Sequence, residues 1–124
     1  MSTNRSLLLV EDDEDLREVL ARRLTRRGFQ VAAAADSQAA IEAMEMGAFQ
    51  VAVVDRTLPG LSGLELIERL KQRNAGLRVI MMSGTSEAVA VEHALENGVC
   101  EYLTKPFRLA DLEAAIDRVA VAAL

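Results

Sequence analysis

Five short apolar runs alternate along the chain with segments whose apolar residues recur every three or four positions. The runs cover residues 7–10, 30–34, 51–54, 79–82 and 99–103, and each has the length of a β-strand. Four of the five lack a regular alternation of polar and apolar residues, which is typical of strands buried on both faces of a parallel sheet. Five strand–helix units in succession therefore predict an α/β domain whose parallel sheet carries helices on both faces.

The segments between the runs carry helix signals. The first helix is predicted to bury one apolar stripe, formed by Leu16, Val19, Leu20 and Leu24. Ser37, Ser62 and Ser86 are placed to cap the next three helices, and a fifth helix begins near Leu109. The fourth helix is predicted to turn Val91, Ala94 and Leu95 inward. The second strand is the least defined element, because residues 31–46 are so rich in alanine that local propensity favours a single helix.

The composition predicts one globular domain over residues 1–124. Hydrophobic residues make up 51% of the chain and charged residues 27%, a balance that excludes a disordered protein. No apolar run approaches the roughly 18 residues of a transmembrane helix. The net charge of −5 argues against general attraction to nucleic acid or to anionic lipid. Cys100 is the only cysteine, so no intramolecular disulfide is possible and a cytoplasmic location is expected.

Polar residues follow four of the predicted strands. Open α/β sheets carry their functional groups just beyond the carboxyl ends of the strands, so these positions are the candidate site. They are Glu11, Asp12 and Asp13 after the first strand, Asp55 after the third, Ser83 after the fourth, and Thr104, Lys105 and Pro106 after the fifth. Carboxylates, a hydroxyl group and an ammonium group are thus expected at one edge of the sheet.

Asp12, Asp13 and Asp55 would concentrate negative charge at that edge. Two carboxylates about 5 Å apart repel each other by about 3 kcal/mol at an effective dielectric constant of about 20. A raised pKa or a bound divalent cation such as Mg²⁺ would relieve this repulsion, and Lys105 could pair with Asp55. Simpler interpretations remain open: Asp12 and Asp13 as charges and a cap at the start of a helix, and Lys105 as a solvated loop cation.

The motifs at these positions resemble the receiver domain of two-component response regulators, a family that includes the single-domain chemotaxis regulator. The resemblance runs from about residue 6 to residue 122. It rests on Leu-Val-Glu-Asp-Asp at 9–13, Val-Val-Asp at 53–55, Leu-Pro-Gly at 58–60 with Gly63, Met-Ser-Gly at 82–84 and Tyr-Leu-Thr-Lys-Pro-Phe at 102–107. It implies a flavodoxin-like, doubly wound, five-stranded parallel sheet with the strand order 2-1-3-4-5.

The resemblance also implies a role for each motif residue. Asp55 matches the phosphoacceptor, which takes a phosphoryl group from a histidine kinase or a phosphotransfer protein. Asp12, Asp13 and Asp55, with the backbone carbonyl of Thr57, match the ligands of Mg²⁺, and Lys105 matches the lysine that binds a phosphoryl oxygen. Such a protein is a switch that assists its own phosphorylation and dephosphorylation rather than an enzyme.

The switching residues implied by the resemblance are Ser83, which moves to the phosphoryl group, and Tyr102, which then turns inward. The Lys105–Pro106 peptide is expected to be cis, as in the family. The altered surface would be the fourth helix, fifth strand and fifth helix, roughly residues 86–122, and it would bind a target, an output domain or a second copy. The cognate kinase and the target stay open, as does whether the chain is a complete regulator or a fragment of a longer one.

Some residues near Asp55 differ from the family pattern or lie at its variable positions. Arg56 is a large cation where the family often has a hydrophobic or small polar residue, and Thr57 and Thr85 occupy variable positions that influence how long the phosphoryl group lasts.

A binding module that keeps the fold without the chemistry is the second hypothesis for the function, although the complete set of motif residues argues against it. A stand-alone phosphatase is the third, but Asp55-Arg56-Thr57 lacks the second aspartate that such enzymes use as an acid.

Overall fold

The computed structural model describes residues 5–122, with side chains described to residue 120. Strands and helices alternate strictly along this part of the chain. The strands are β1 (Ser6–Val10), β2 (Gln30–Ala34), β3 (Val51–Asp55), β4 (Arg78–Ser83) and β5 (Glu101–Thr104). The helices are α1 (Glu14–Arg26), α2 (Ser37–Met46), α3 (Gly63–Arg73), α4 (Ala88–Glu96) and α5 (Leu109–Ala122).

All five strands are parallel and lie in the order β2-β1-β3-β4-β5, as predicted. The alanine-rich β2 is therefore a strand, paired with β1 from Ser6–Gln30 to Val10–Ala34. β2 lies at the edge of the sheet, and all five of its residues pair with β1. This pairing offsets the weak intrinsic β-propensity of its alanines. The carboxyl ends of β1, β3, β4 and β5 meet at one edge of the sheet.

The sheet separates two apolar layers. On one face, alternate strand residues such as Leu8 and Val54 pack against α2, α3 and α4. On the other face, residues such as Leu9 and Val53 pack against α1 and α5. β1, β3 and β4 are almost entirely buried because helices cover them on both sides. This rigid centre fixes the positions of the loops that follow these strands.

Several local predictions need correction. Asp36 rather than Ser37 caps α2, because its carboxylate accepts a hydrogen bond from the Ala39 amide at 2.8 Å. Ser86 does not cap α4, which follows Glu87 with no side-chain cap. The Ser62 cap of α3 is confirmed and is part of a capping box with Glu65.

Two residues predicted to be inward are exposed. Val19 is 51% exposed and Leu95 is 47% exposed. The buried face of α1 contains Leu20 and Leu24, which are four positions apart. Val19 precedes Leu20 by one position, so its side chain lies about 100° around the helix from that face. In α4 the same geometry buries Ala94 and turns its neighbour Leu95 outward. No helix in residues 5–122 combines the length and apolar character needed to span a membrane.

Candidate functional site

Residues from three strand ends converge on Lys105. Glu11 directly follows β1, Asp55 ends β3 and Lys105 follows β5. The Nζ atom of Lys105 lies 2.6 Å from Oε1 of Glu11 and 2.5 Å from Oδ2 of Asp55. Glu11 is fully buried and Asp55 is 6% exposed, so this ammonium group bridges two carboxylates that have little contact with water.

Backbone amides hold the other oxygen of each carboxylate. The Asp13 amide donates to Oε2 of Glu11 at 3.0 Å, and the Thr57 amide donates to Oδ1 of Asp55 at 2.9 Å. Each carboxylate is therefore fixed by one backbone N–H and one shared ammonium group, which satisfies a buried charge with charge-assisted hydrogen bonds. The two side chains are held in defined orientations before any ligand binds.

Burial and pairing act on the pKa values in this cluster. Desolvation raises the pKa of Glu11 above its ordinary value, and the nearby charge of Asp55 adds to the rise. The hydrogen bonds from Lys105 and from the Asp13 amide offset only part of it. Burial alone would lower the pKa of Lys105, but the hydrogen bonds to Asp55 and Glu11 outweigh it and raise this pKa. Lys105 is therefore held in its charged form.

Three carboxylates form a group that suits a divalent cation. Glu11, Asp12 and Asp55 each offer an oxygen atom, and these atoms lie within 4.8 Å of one another. Asp12 is exposed while the other two are buried, so the group opens to solvent on one side. An all-oxygen donor set that leaves room for water is the arrangement in which proteins bind Mg²⁺.

Asp13, predicted as a member of this group, lies outside it. Its carboxylate accepts a hydrogen bond from the Leu16 amide at 3.1 Å and caps α1. The helix-cap interpretation thus holds for Asp13, and the acidic pair at the site is Glu11 with Asp12. The signal was present in the sequence, because Glu11 directly follows a buried strand whereas Asp13 stands three residues before Leu16, which is N-cap spacing.

The remaining predicted site residues lie around β4 and β5. Ser83 is buried, and its Oγ atom accepts a hydrogen bond from the Thr85 amide at 3.2 Å. The hydroxyl group of Tyr102 donates to the Thr85 carbonyl at 2.7 Å, and its ring packs against the apolar layer under α4. Thr85 thus contacts both predicted switch residues. The Lys105–Pro106 peptide bond is cis, as the resemblance implies.

The profile of the response regulator receiver domain matches residues 7–117, which is most of the chain. The chain belongs to this family. Among curated proteins, this receiver domain is 41% identical over 111 residues to the transcriptional activator protein PfeR of Pseudomonas aeruginosa, a match that covers 90% of the chain and 36% of PfeR. It is 34% identical over 110 residues to the transcriptional regulatory protein TcrA of Mycobacterium tuberculosis, covering 89% of the chain and 44% of TcrA.

Solved structures agree with the fold of this receiver domain. A CheY-like receiver domain protein from Methanospirillum hungatei superposes with a TM-score of 0.90 at 26% identity, covering 98% of the chain and 97% of that protein. The non-phosphorylated HemR receiver domain from Leptospira biflexa gives 0.86 at 30% identity and 93% coverage of both. The chain spans less than half the length of PfeR and of TcrA. Receiver domains are phosphoacceptor signalling domains of two-component systems rather than classical enzymes.

Proposed function

We propose that this receiver domain accepts a phosphoryl group on Asp55 and thereby switches the surface that binds its partner. The observation that supports this most directly is the double fixation of the Asp55 carboxylate by the Thr57 amide and Lys105. A buried aspartate at the end of an apolar strand is costly in free energy unless its charge is used or neutralised. Here it is oriented and lies next to a positive charge, as suits a nucleophile for phosphoryl transfer.

In the transfer, an oxygen of Asp55 forms a bond to the phosphorus of a phosphohistidine on a kinase or a phosphotransfer protein. The phosphorus–nitrogen bond breaks, and the imidazole leaves with the electron pair. Lys105 stays within reach of Asp55 Oδ2, so it is placed to bind a phosphoryl oxygen as negative charge accumulates. Glu11, Asp12 and Asp55, with the Thr57 carbonyl, would hold Mg²⁺. When bound, Mg²⁺ neutralises the charge of the phosphoryl oxygens.

An apolar groove beside Lys105 is suited to docking the phosphoryl donor. It is lined by Leu16, Val19, Leu20, Pro106, Phe107 and Leu109. The exposure of Val19 therefore adds apolar surface to a groove that adjoins the site. A helix of the donor laid along this groove would bring its phosphohistidine to the end of β3.

The output surface is the face formed by α4, β5 and α5. Ser83 and Tyr102 both contact Thr85, so movement of Ser83 towards a phosphoryl group would disturb the hydrogen bond of Tyr102 at the start of α4. Val89 and Leu95 of α4 are exposed apolar residues on which a target, an output domain or a second copy can pack. We place these events in the cytoplasm, and we take residues 1–124 as one receiver domain.

Mass spectrometry of the intact protein tests the proposal. The wild-type protein, incubated with Mg²⁺ and acetyl phosphate, is expected to gain the mass of one phosphoryl group, and Asp55→Asn is expected to gain none. Asp36→Asn is the matched control, because asparagine caps a helix as well as aspartate does. A wild-type protein that gains no mass would favour a binding module that does not depend on phosphorylation. An adduct that persists in Asp55→Asn would refute the assignment of Asp55.

A further inference from the structure

Arg56 is a half-buried cation that directly follows Asp55. Its side chain forms no hydrogen bond or ion pair with any residue in the described range 5–122. The neighbouring cations differ, because Lys105 bridges Glu11 and Asp55 and Arg17 donates to the Glu11 carbonyl at 2.9 Å. A guanidinium group that has no acceptor among the described residues is available to bind an anion.

The backbone holds Arg56 firmly in place. Its amide donates to the Met82 carbonyl at 2.8 Å, and its carbonyl accepts from the Gly63 amide at 2.8 Å. A Cβ atom on Gly63 would lie only 2.7 Å from Cα of Arg56, so the start of α3 packs directly against this residue. Arg56 is therefore the first residue of the β3–α3 loop, and its backbone is fixed by hydrogen bonds through both its amide and its carbonyl.

Arg56 lines an open cleft of about 470 Å³. The other lining residues are Thr57, Leu58, Gly60, Ser62, Leu64 and Glu65. Thr57 belongs to both places, because it lines the cleft and its amide holds Oδ1 of Asp55. Glu65 is the only acidic residue in the lining, and its carboxylate is engaged with the Ser62 amide in the capping box.

We propose that Arg56 selects dianionic small-molecule phosphoryl donors, such as acyl phosphates, by binding their anionic oxygens in this cleft. This proposal rests on the proposed function of Asp55. Three carboxylates and one lysine at the site carry a net negative charge, which a bound Mg²⁺ would only cancel, so these groups alone offer an approaching dianion no net attraction. The positive charge of Arg56 adds an attraction for the dianion.

The reaction with an acyl phosphate is balanced without a further reagent. An oxygen of Asp55 forms a bond to phosphorus, the bond from phosphorus to the acyl oxygen breaks, and the carboxylate leaves with the electron pair. With phosphoramidate the phosphorus–nitrogen bond breaks and ammonia leaves. Acetyl phosphate is a dianion near neutral pH and phosphoramidate is a net monoanion, so the two donors differ in the charge on which Arg56 acts.

The test compares phosphorylation rates of Arg56→Gln and the wild-type protein with both donors at saturating Mg²⁺. We expect the second-order rate constant to fall about fivefold with acetyl phosphate and about twofold with phosphoramidate, because the Coulomb interaction scales with donor charge. Raising the salt concentration from about 0.1 M to about 1 M should shrink both ratios, since the Debye length falls from about 10 Å to about 3 Å. Arg56→Lys should recover most of the rate.

The control is Arg69→Gln on α3, which removes the same charge from an exposed position outside the cleft. Equal rates for Arg56→Gln and wild type, equal losses with the two donors, or the same loss in Arg69→Gln would each overturn the role of Arg56. Thermal unfolding of Arg56→Gln shows whether the fold is intact, and the donor ratio is independent of the fraction folded. A wild-type protein that neither donor phosphorylates refutes the proposed function itself, and the role of Arg56 with it.

Discussion

Two ion clusters in this molecule differ in their N···O distances, which are 2.5–2.6 Å in one and 3.0–3.2 Å in the other, and in their surroundings. The first is the buried group of Glu11, Asp55 and Lys105 at the carboxyl edge of the sheet. The second joins α1 to α5 on the surface, where Glu113 lies 3.1 Å from Arg23 and 3.2 Å from Arg27. Arg27 also contacts Asp117 at 3.0 Å, and the side chains of Arg27 and Asp117 are well exposed.

The pKa values of Glu11 and Glu113 are shifted in opposite directions. Hydrogen bonding to Arg23 lowers the pKa of Glu113, whereas desolvation raises the pKa of Glu11 even though Lys105 donates to it. Pairing with arginine thus favours the charged form of Glu113, whereas at Glu11 the cost of burial outweighs the pairing with Lys105. The surface cluster aligns two helices at little cost. The buried cluster holds charge in an unfavourable place, which is expected of residues retained for chemistry rather than for stability.

The largest difference between the clusters should appear when the cation is removed. Lys105→Met would leave Glu11 and Asp55 close together with no positive charge between them. Because the Lys105 side chain is still 26% exposed, we expect a loss of about 1–3 kcal/mol in the free energy of unfolding, below the cost of breaking a fully buried pair. Urea denaturation at neutral pH without Mg²⁺ measures this loss.

Combining Lys105→Met with Asp55→Asn separates charge repulsion from lost packing. The double variant should recover much of the stability, because only one carboxylate then remains in the cluster. Arg27→Met is the matched surface control, and its effect should be clearly smaller. If Lys105→Met were no more destabilising than Arg27→Met, the contrast between the two clusters would be wrong.

The sequence predicts the fold well because the fold depends on features that repeat. Five buried runs, each followed by a helical segment, lead to a parallel sheet, and the receiver motifs supply the strand order. The wrong predictions concern single residues whose contacts come from distant parts of the chain. Ser37, which resembles a cap, is buried and bridges to the Pro59 carbonyl and the Leu61 amide of the β3–α3 loop, 22 and 24 positions along the chain. No local pattern predicts such a contact.

The same limit applies within the site. Asp55 and Ser83 end the buried strands β3 and β4 and Lys105 directly follows β5, and the sequence places all three at the same edge of the sheet. The membership of Glu11 rather than Asp13 depends on which carboxylate the turn after β1 directs inward, because the three acidic residues are consecutive. Burial of Glu11 follows from the packing of the strand ends, whereas the cap formed by Asp13 follows from the position at which α1 begins.

Substitutions of Glu11 and Asp13 test which of these two carboxylates belongs to the buried cluster. Asp13→Ala should lower the free energy of unfolding by about 1 kcal/mol through loss of the α1 cap. It should change Mg²⁺ affinity by less than about twofold, because an exposed charge outside the group is screened. Glu11→Gln should instead weaken Mg²⁺ binding by about tenfold. Denaturation without Mg²⁺ and calorimetric titration with Mg²⁺ measure the two quantities.

The control is Asp13→Asn, which removes the charge but keeps a capping oxygen and should therefore keep most of the stability. The prediction fails if Asp13→Asn weakens Mg²⁺ binding as strongly as Glu11→Gln does. That result would show that the Asp13 carboxylate contributes to Mg²⁺ binding and is not only the cap of α1.

The smallest effect is expected at Glu113, and it has a characteristic pH dependence. Because Arg23 and Arg27 hold the pKa of Glu113 below its value of about 4.3 in an unfolded chain, ionised Glu113 stabilises the fold above that pH. The contribution is lost as the pH falls through the lower, folded-state pKa. Glu113→Gln should therefore be slightly less stable than wild type at neutral pH, and the difference should disappear once the pH lies below the folded-state pKa of Glu113, and also at about 1 M salt. A difference that persists at high salt would indicate packing between α1 and α5 rather than charge, and the surface cluster would then resemble the buried one more than the structure suggests.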